Sequence, residues 1–326
     1  MKISLGVPPG PHARPLAQHA ENLGYDRIWL FDSAAIYEDI WIHLAQIAEA
    51  TNRIGLGTSV LVPSLRHVMS TASAIATIER LAPGRLACGW GTGMTARHTL
   101  GQKALTWKYT RTYIEQIRAL LLGETVEIEG QPCKMMHHPA MGKERPIEVP
   151  HIISAFGPKG VAIAREIGDG WIGSMDPPEP FDWAVRMLPG TVLDPGESPY
   201  SERVFNSAGV WHSGVWHSTW EWDRDTLPSI PGGAAFLKSI EQNPVEPKYF
   251  SVHQNHMTHL NEADRCAYAS IDGKPEWSVW VGEADQILEK AQEAQANGVS
   301  DLLFTPAGDY LREAEAFYNA VKSLQR

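Results

Sequence analysis

The sequence is poor in cysteine, with three in 326 residues, at Cys88, Cys133 and Cys266. No CxxC pair occurs, so neither a cysteine zinc site nor a disulfide framework is supported, and a reducing cytoplasm is the expected location. No apolar run approaches the roughly 18 residues of a membrane span. The opening run Lys2–Val7 meets Pro8-Pro9-Gly10 before it reaches the length of a signal-peptide core. Positive charge is in deficit: 28 Lys and Arg face 38 Asp and Glu, a formal charge of −10, which argues against nucleic acid and for a small-molecule partner. Also missing is a GxGxxG after the first strand pattern, so a dinucleotide fingerprint is a poor reading.

What is present is apolar residue in quantity, 43% of the chain, enough for a sizeable core. In the first half, short apolar runs alternate with helical patterns. Strands are expected at Lys2–Val7, Asp26–Asp32, Arg53–Leu61 and Arg85–Gly91. Helices are expected at Pro15–Leu23, Ile40–Ala50, His67–Leu81 and Trp107–Leu122. Nearly continuous apolar strands separated by helices indicate a parallel sheet covered on both faces. Val149–Ala155, Lys159–Ile167 and Gly170–Ser174 continue the alternation. Ala284–Asn297, Asp301–Pro306 and Tyr310–Leu324 close it. Between Ser174 and Glu283 lie about 110 residues, far more than one βα connection needs. Strand seven belongs there, with Pro189–Leu193 and Val204–Val210 both open as candidates. Eight strands and about eight helices favour a single (β/α)8 TIM barrel over 1–326. A long insertion, roughly 195–280, lies between strands six and eight and is expected to act as a lid.

Barrel chemistry sits at the C-terminal ends of the strands. Strand two ends in Asp32, a carboxylate after an apolar run, where burial without a partner is costly; it suits an acid, base or substrate acceptor, against a plain turn cap with Ser33. Strand three ends Gly57-Thr58-Ser59-Val60, suited either to a bulge against a ligand or to ordinary pairing. Strand four ends Trp90-Gly91-Thr92-Gly93, whose glycines let backbone approach a ring or phosphate. Strand five runs through Ser154-Ala155-Phe156-Gly157 into a helix start, a place for an anion. Strand six ends in Ser174, another phosphate donor. The insertion holds GVWHS twice, at Gly209–Ser213 and Gly214–Ser218, with Trp211, Trp216, Trp220 and Trp222 expected in core or lid packing. His253, His256 and His259 have helical spacing and invite a metal reading. No carboxylate or cysteine clearly completes the set, so pocket lining or surface is preferred and no metal is assigned.

The runs Ala20–Asp32 (AENLGYDRIWLFD), Arg53–His67 (RIGLGTSVLVPSLRH), Ile78–Gly93 and Ala164–Ile172, with Val281–Pro306, together resemble the luciferase-like superfamily of flavin and deazaflavin enzymes. Thr58-Ser59-Val60 and Gly91-Thr92-Gly93 are more similar to its coenzyme F420-dependent branch. That resemblance implies a non-prolyl cis peptide at Ser59-Val60 behind the deazaflavin. It places Asp32 near the reactive edge and Tyr37 at the position of an active-site aromatic. It implies cofactor contacts from Ser59, Val60, Trp90 through Gly93, Ser154 through Gly157, and Ser174. Ser33 stands where the branch's sugar-phosphate dehydrogenases carry histidine, and Met94 where they carry glutamate. A hydrophobic or aromatic substrate is therefore expected rather than a sugar phosphate. The expected activity is hydride transfer between F420 and a small organic molecule. The alternatives are an FMN-dependent monooxygenase using O2 and a non-catalytic flavin-binding barrel. The resemblance also implies a homodimer.

Overall fold

A computed structural model describes residues 1–325. Eight parallel strands form a closed ring. They are β1 (Lys2–Val7), β2 (Arg27–Leu30), β3 (Gly55–Leu61), β4 (Leu86–Trp90), β7 (His151–Ser154), β8 (Gly170–Gly173), β9 (Ala184–Val192) and β11 (Asp301–Thr305). Each pairs with its neighbour in that order, and β11 pairs with β1 (Lys2 with Asp301), which closes the barrel. β5 (Thr125–Ile128) and β6 (Gln131–Lys134) form an antiparallel hairpin in a stretch where the sequence pattern predicts no strand. β10 (Trp280–Gly282) extends the end of β9, pairing Trp280 with Gly190.

β9 settles the open question of strand seven. It covers the Pro189–Leu193 candidate almost entirely and begins earlier, at Ala184. The rival Val204–Val210 is helical, most of it a π-helix over Phe205–Gly209. Its apolar residues serve burial rather than pairing: Val204 and Ala208 pack with Val279. A short apolar run suits either element, and tertiary packing decides.

Period-two alternation explains why the barrel is solid. Trp29, Ala87, Ile152, Ile172, Val185 and Leu303 come from six different strands and pack together as one buried cluster. Gly57 belongs to this packing. A Cβ there would lie 2.3 Å from the Trp29 ring, so the glycine makes room for the indole. The alternate residues, such as Ile28, Leu30, Leu56 and Ile153, meet the outer helices α1 (Ala13–Leu23), α2 (Ile40–Ala50), α3 (Val68–Leu81), α5 (Trp107–Leu122) and α6 (Pro158–Ile167). A short helix, α4 (Met94–His98), follows β4 directly.

The insertion leaves β9 and is mainly helical, with helices at Gly214–Trp222, Gly233–Gln242 and Glu262–Ala269. It has its own core, built on Trp216, Trp220, Leu227, Phe236, Ile240 and Tyr268. Among the described residues no helix is long and apolar enough to cross a membrane.

Candidate active site at the strand ends

The C-terminal ends of β2, β3, β4 and β7 open into one cavity of about 450 Å³. Of the sequence-derived residues, Asp32, Tyr37, Ser59, Val60, Gly91, Thr92, Gly93, Ser154, Phe156 and Gly157 line it. Three others do not. Trp90 is fully buried, donates its indole N–H to His151 Nδ1 at 2.8 Å and stacks on that ring, so it faces the helical layer. Ala155 is buried, and its carbonyl accepts from the Trp171 indole at 2.8 Å. Ser174 is exposed beyond the end of β8 and outside the cavity wall. Strand alternation explains the first two: neighbours of a lining residue point the other way.

The β3–β4 pairing breaks where the site forms. Register shifts between Thr58 and Leu61, and the Ser59–Val60 peptide within that gap is cis, as the resemblance implied. Just before the break, Gly89 N–H donates to Thr58 Oγ1 at 2.9 Å, and that hydroxyl donates to the Gly89 carbonyl at 3.1 Å. The two residues thus lock the strands where regular pairing ends. Gly91 faces Val60 so closely that a Cβ would lie 2.6 Å from Val60 Cγ2. Gly93 has φ +84°, in the left-handed region, and a Cβ there would meet Val62 Cγ1 at 2.4 Å. Bare backbone is therefore required at both positions.

Asp32 is 4% exposed. Its oxygens accept from Arg66 at 2.8 and 3.0 Å, and the other Arg66 nitrogen donates to Asp39 at 2.8 Å. Burial pushes the Asp32 carboxyl above its ordinary value, against the pull of Arg66 and the Val62 amide. Burial also opposes ionisation of Asp39, but Arg66 and the Trp41 and Ile42 amides outweigh it and hold this carboxyl low. Burial works against the Arg66 charge, yet its two carboxylates raise it overall. Asp39 additionally caps α2, accepting from Trp41 N–H at 2.8 Å. Arg66 thus ties the end of β2 to the start of α2. Arg66 lies within the run Arg53–His67, but no local spacing links it to a carboxylate 34 residues away.

The insertion supplies further lining: Trp211, Trp222, His256 and Met257. The four insertion tryptophans therefore divide. Trp216 and Trp220 are buried in the insertion core, while Trp211 and Trp222 reach the cavity and Trp211 meets Phe31 edge to face at 6.1 Å. Tyr37 donates its hydroxyl to the His256 carbonyl at 3.1 Å, and burial pushes that hydroxyl far above its ordinary value. Its proton is committed to the insertion backbone. At another edge, α6 begins at Gly157 with no side-chain cap and with Pro158 at its first position. Pro158 has no N–H and the Gly160 amide donates to the Gly157 carbonyl at 3.0 Å, so the first turn offers an anion the Lys159 amide and the exposed Lys159 side chain.

Comparisons with known proteins place the chain among relatives of known fold. The chain is 31% identical over 187 residues to the 5,10-methylenetetrahydromethanopterin reductase of Methanolobus tindarius, covering 56% of each chain. It is 35% identical over 170 residues to the F420-dependent glucose-6-phosphate dehydrogenase of Beutenbergia cavernae, or 47% of this chain and 49% of that one. The matches thus span about half the length of these curated relatives. The solved structure of the coenzyme F420-dependent tetrahydromethanopterin reductase from Methanopyrus kandleri superposes over the whole chain with a TM-score of 0.67 at 17% identity, a likeness of fold. The luciferase-like monooxygenase profile matches residues 4–189, which include the ends of β2, β3, β4, β7 and β8, and the chain belongs to that family.

Proposed function

We propose that this protein is an F420-dependent oxidoreductase exchanging a hydride between the deazaflavin and a small hydrophobic or aromatic organic substrate. One observation carries the reading. Ser59 and Val60 at the β3 break, the bare backbone of Gly91 and Gly93, and the Gly157 start of α6 line a single cavity that also contains Asp32. Such a cavity fits a flat ring with an anionic tail: Gly91 and Gly93 let Val60 and Val62 lie directly against bare backbone, so the wall stays flat, and the first turn of α6 offers the Lys159 amide and side chain to a phosphate. When bound, F420 supplies two-electron hydride chemistry at its ring.

The chain's own residues then position and exclude. Ser59, Val60 and Gly91–Gly93 back the ring, and Ser154, Gly157 and Lys159 hold the tail. Asp32, held by both oxygens on Arg66, presents a fixed acceptor that orients the substrate or holds a proton at Oδ1 or Oδ2. Tyr37 shapes the wall. Trp211, Trp222, Met94 and Met257 make the remaining surface apolar and favour a substrate without charge. The insertion acts as a cover that limits water.

Absorbance titration of the purified protein with F420 and, separately, with FMN tests this. Saturable binding of F420 but not FMN is expected. Binding of FMN alone overturns the proposal in favour of oxygen-dependent monooxygenation. Binding of neither overturns it in favour of a non-catalytic barrel.

A further inference from the structure

Three histidines in the insertion are brought together from two separate segments. His217 lies on the helix Gly214–Trp222, and His253 and His256 lie in the turn after the helix Tyr249–Val252. All three are buried, at 2%, 7% and 4% exposure, and one ring nitrogen from each lies within 4.8 Å of the others. His259, which shares their sequence spacing, is absent from the group and lines a different cavity beside Arg265. His217 replaces it from some forty residues upstream.

The outer nitrogens of two rings are already held by carboxylates. His217 Nε2 pairs with Asp264 at 2.9 Å, and His253 Nε2 pairs with Glu221 at 2.8 Å. Asp264 is itself fixed by the reciprocal cap with Asn261. His256 Nε2 meets Thr95 Oγ1 at 3.4 Å. No Nδ1 of the three has a carboxylate partner. Those of His217 and His256 lie 2.7 Å apart, a hydrogen bond in which either ring can be the donor. That of His253 is buried and, among the described residues, has no hydrogen-bond partner. A hydrogen-bonded relay from Asp264 through His217 to His256 accounts for every polar atom except this one.

We propose that His217, His253 and His256 bind one divalent ion of the zinc class through their Nδ1 atoms. Imidazole suits zinc, cobalt and nickel, and carboxylates behind the rings are the usual means of orienting such ligands and raising their basicity. The charges balance, since two carboxylates surround three neutral rings and a doubly charged ion. The distances nearly fit. Zn–N bonds of about 2.0–2.1 Å in a tetrahedron put ligand nitrogens roughly 3.3 Å apart. His217 and His256, whose Nδ1 atoms are 2.7 Å apart, therefore separate by a few tenths of an ångström to share an ion. Three protein ligands leave a fourth position for water. The ion fastens two segments of the insertion at the cavity wall, where His256 carries the Tyr37 hydrogen bond and meets Thr95.

Protein free of any affinity tag is stripped with a chelator and titrated with Co(II), followed by its visible ligand-field bands, and with zinc in competition. One equivalent per chain is expected, with tetrahedral-type bands and a rise in melting temperature. His253→Gln and His217→Gln should each weaken binding at least 100-fold. Asp264→Asn should weaken it about 10–100-fold. His259→Gln should bind as wild type. Absence of stoichiometric binding to the wild-type protein overturns the proposal, and that arm needs no variant to fold. Retention of wild-type affinity by His253→Gln overturns it equally.

Discussion

Replacing Arg66 by methionine leaves Asp32 with its charge in place and its partner gone. The Asp32 side chain is 2% exposed and that of Arg66 16%, so water cannot readily replace the lost contacts. At a charge separation near 4 Å and an effective dielectric of about 20, the attraction removed is about 4 kcal/mol. Removing one partner of a buried pair generally costs about 3–5 kcal/mol. Arg66→Met should therefore lose about 3–5 kcal/mol in urea unfolding near neutral pH. Part of that loss comes from Asp39, whose side chain is 41% exposed and hydrates more easily. The pH dependence identifies the cause. Asp32 is already raised in the folded protein, against an ordinary value of 3.8, and losing Arg66 raises it further. A carboxyl raised by folding stabilises below its unfolded value and loses that contribution as pH rises through the folded one. The deficit of Arg66→Met should accordingly be small toward about pH 4 and grow toward about pH 8. In Asp32→Asn/Arg66→Met no buried charge remains, and about 2 kcal/mol or more should return. A single-variant loss below about 1 kcal/mol would refute the reasoning. So would a deficit independent of pH.

Gly91→Ala places a methyl 2.6 Å from Val60 Cγ2, and overpacking of this kind costs about 1–3 kcal/mol. F420 affinity should fall at least tenfold while circular dichroism stays native; unchanged affinity would remove Gly91 from the cofactor wall. Remote from the cavity, hydrogen bonds from Arg203, against some burial, bring Glu197 down from 4.5 to about 2, with the Ser201 hydroxyl and the Asp194 amide assisting. A lowered carboxyl stabilises above its unfolded value and loses that contribution as pH falls through the folded one. The stability gap between wild type and Glu197→Gln should thus be constant above about pH 5 and close between about pH 4.5 and 2. A gap unchanged at about pH 3 in urea unfolding would show that the pair contributes nothing through charge.

The alternation of apolar runs and amphipathic helices in the sequence carried the barrel itself, because burial on both faces of a parallel sheet leaves a local signature in every strand. The strand ends carried most of the cavity lining for a related reason. Asp32, Gly91 and Gly93 are anomalous where they stand, a carboxylate after an apolar run and glycines where a side chain would otherwise pack. Trp90 and Ala155 show where this stops. Next to a lining residue, only the pleat decides which side chain enters the cavity and which enters the helical layer. Strand seven was not decidable locally, since the apolar residues of Val204–Val210 serve a buried helix as well as they would a strand. The partnership of Arg66 with Asp32, the division of the tryptophans, and the replacement of His259 by His217 depend on which segments the closed ring and the folded insertion bring together. Contacts between distant segments leave no period in a sequence, and only the tertiary structure decides them.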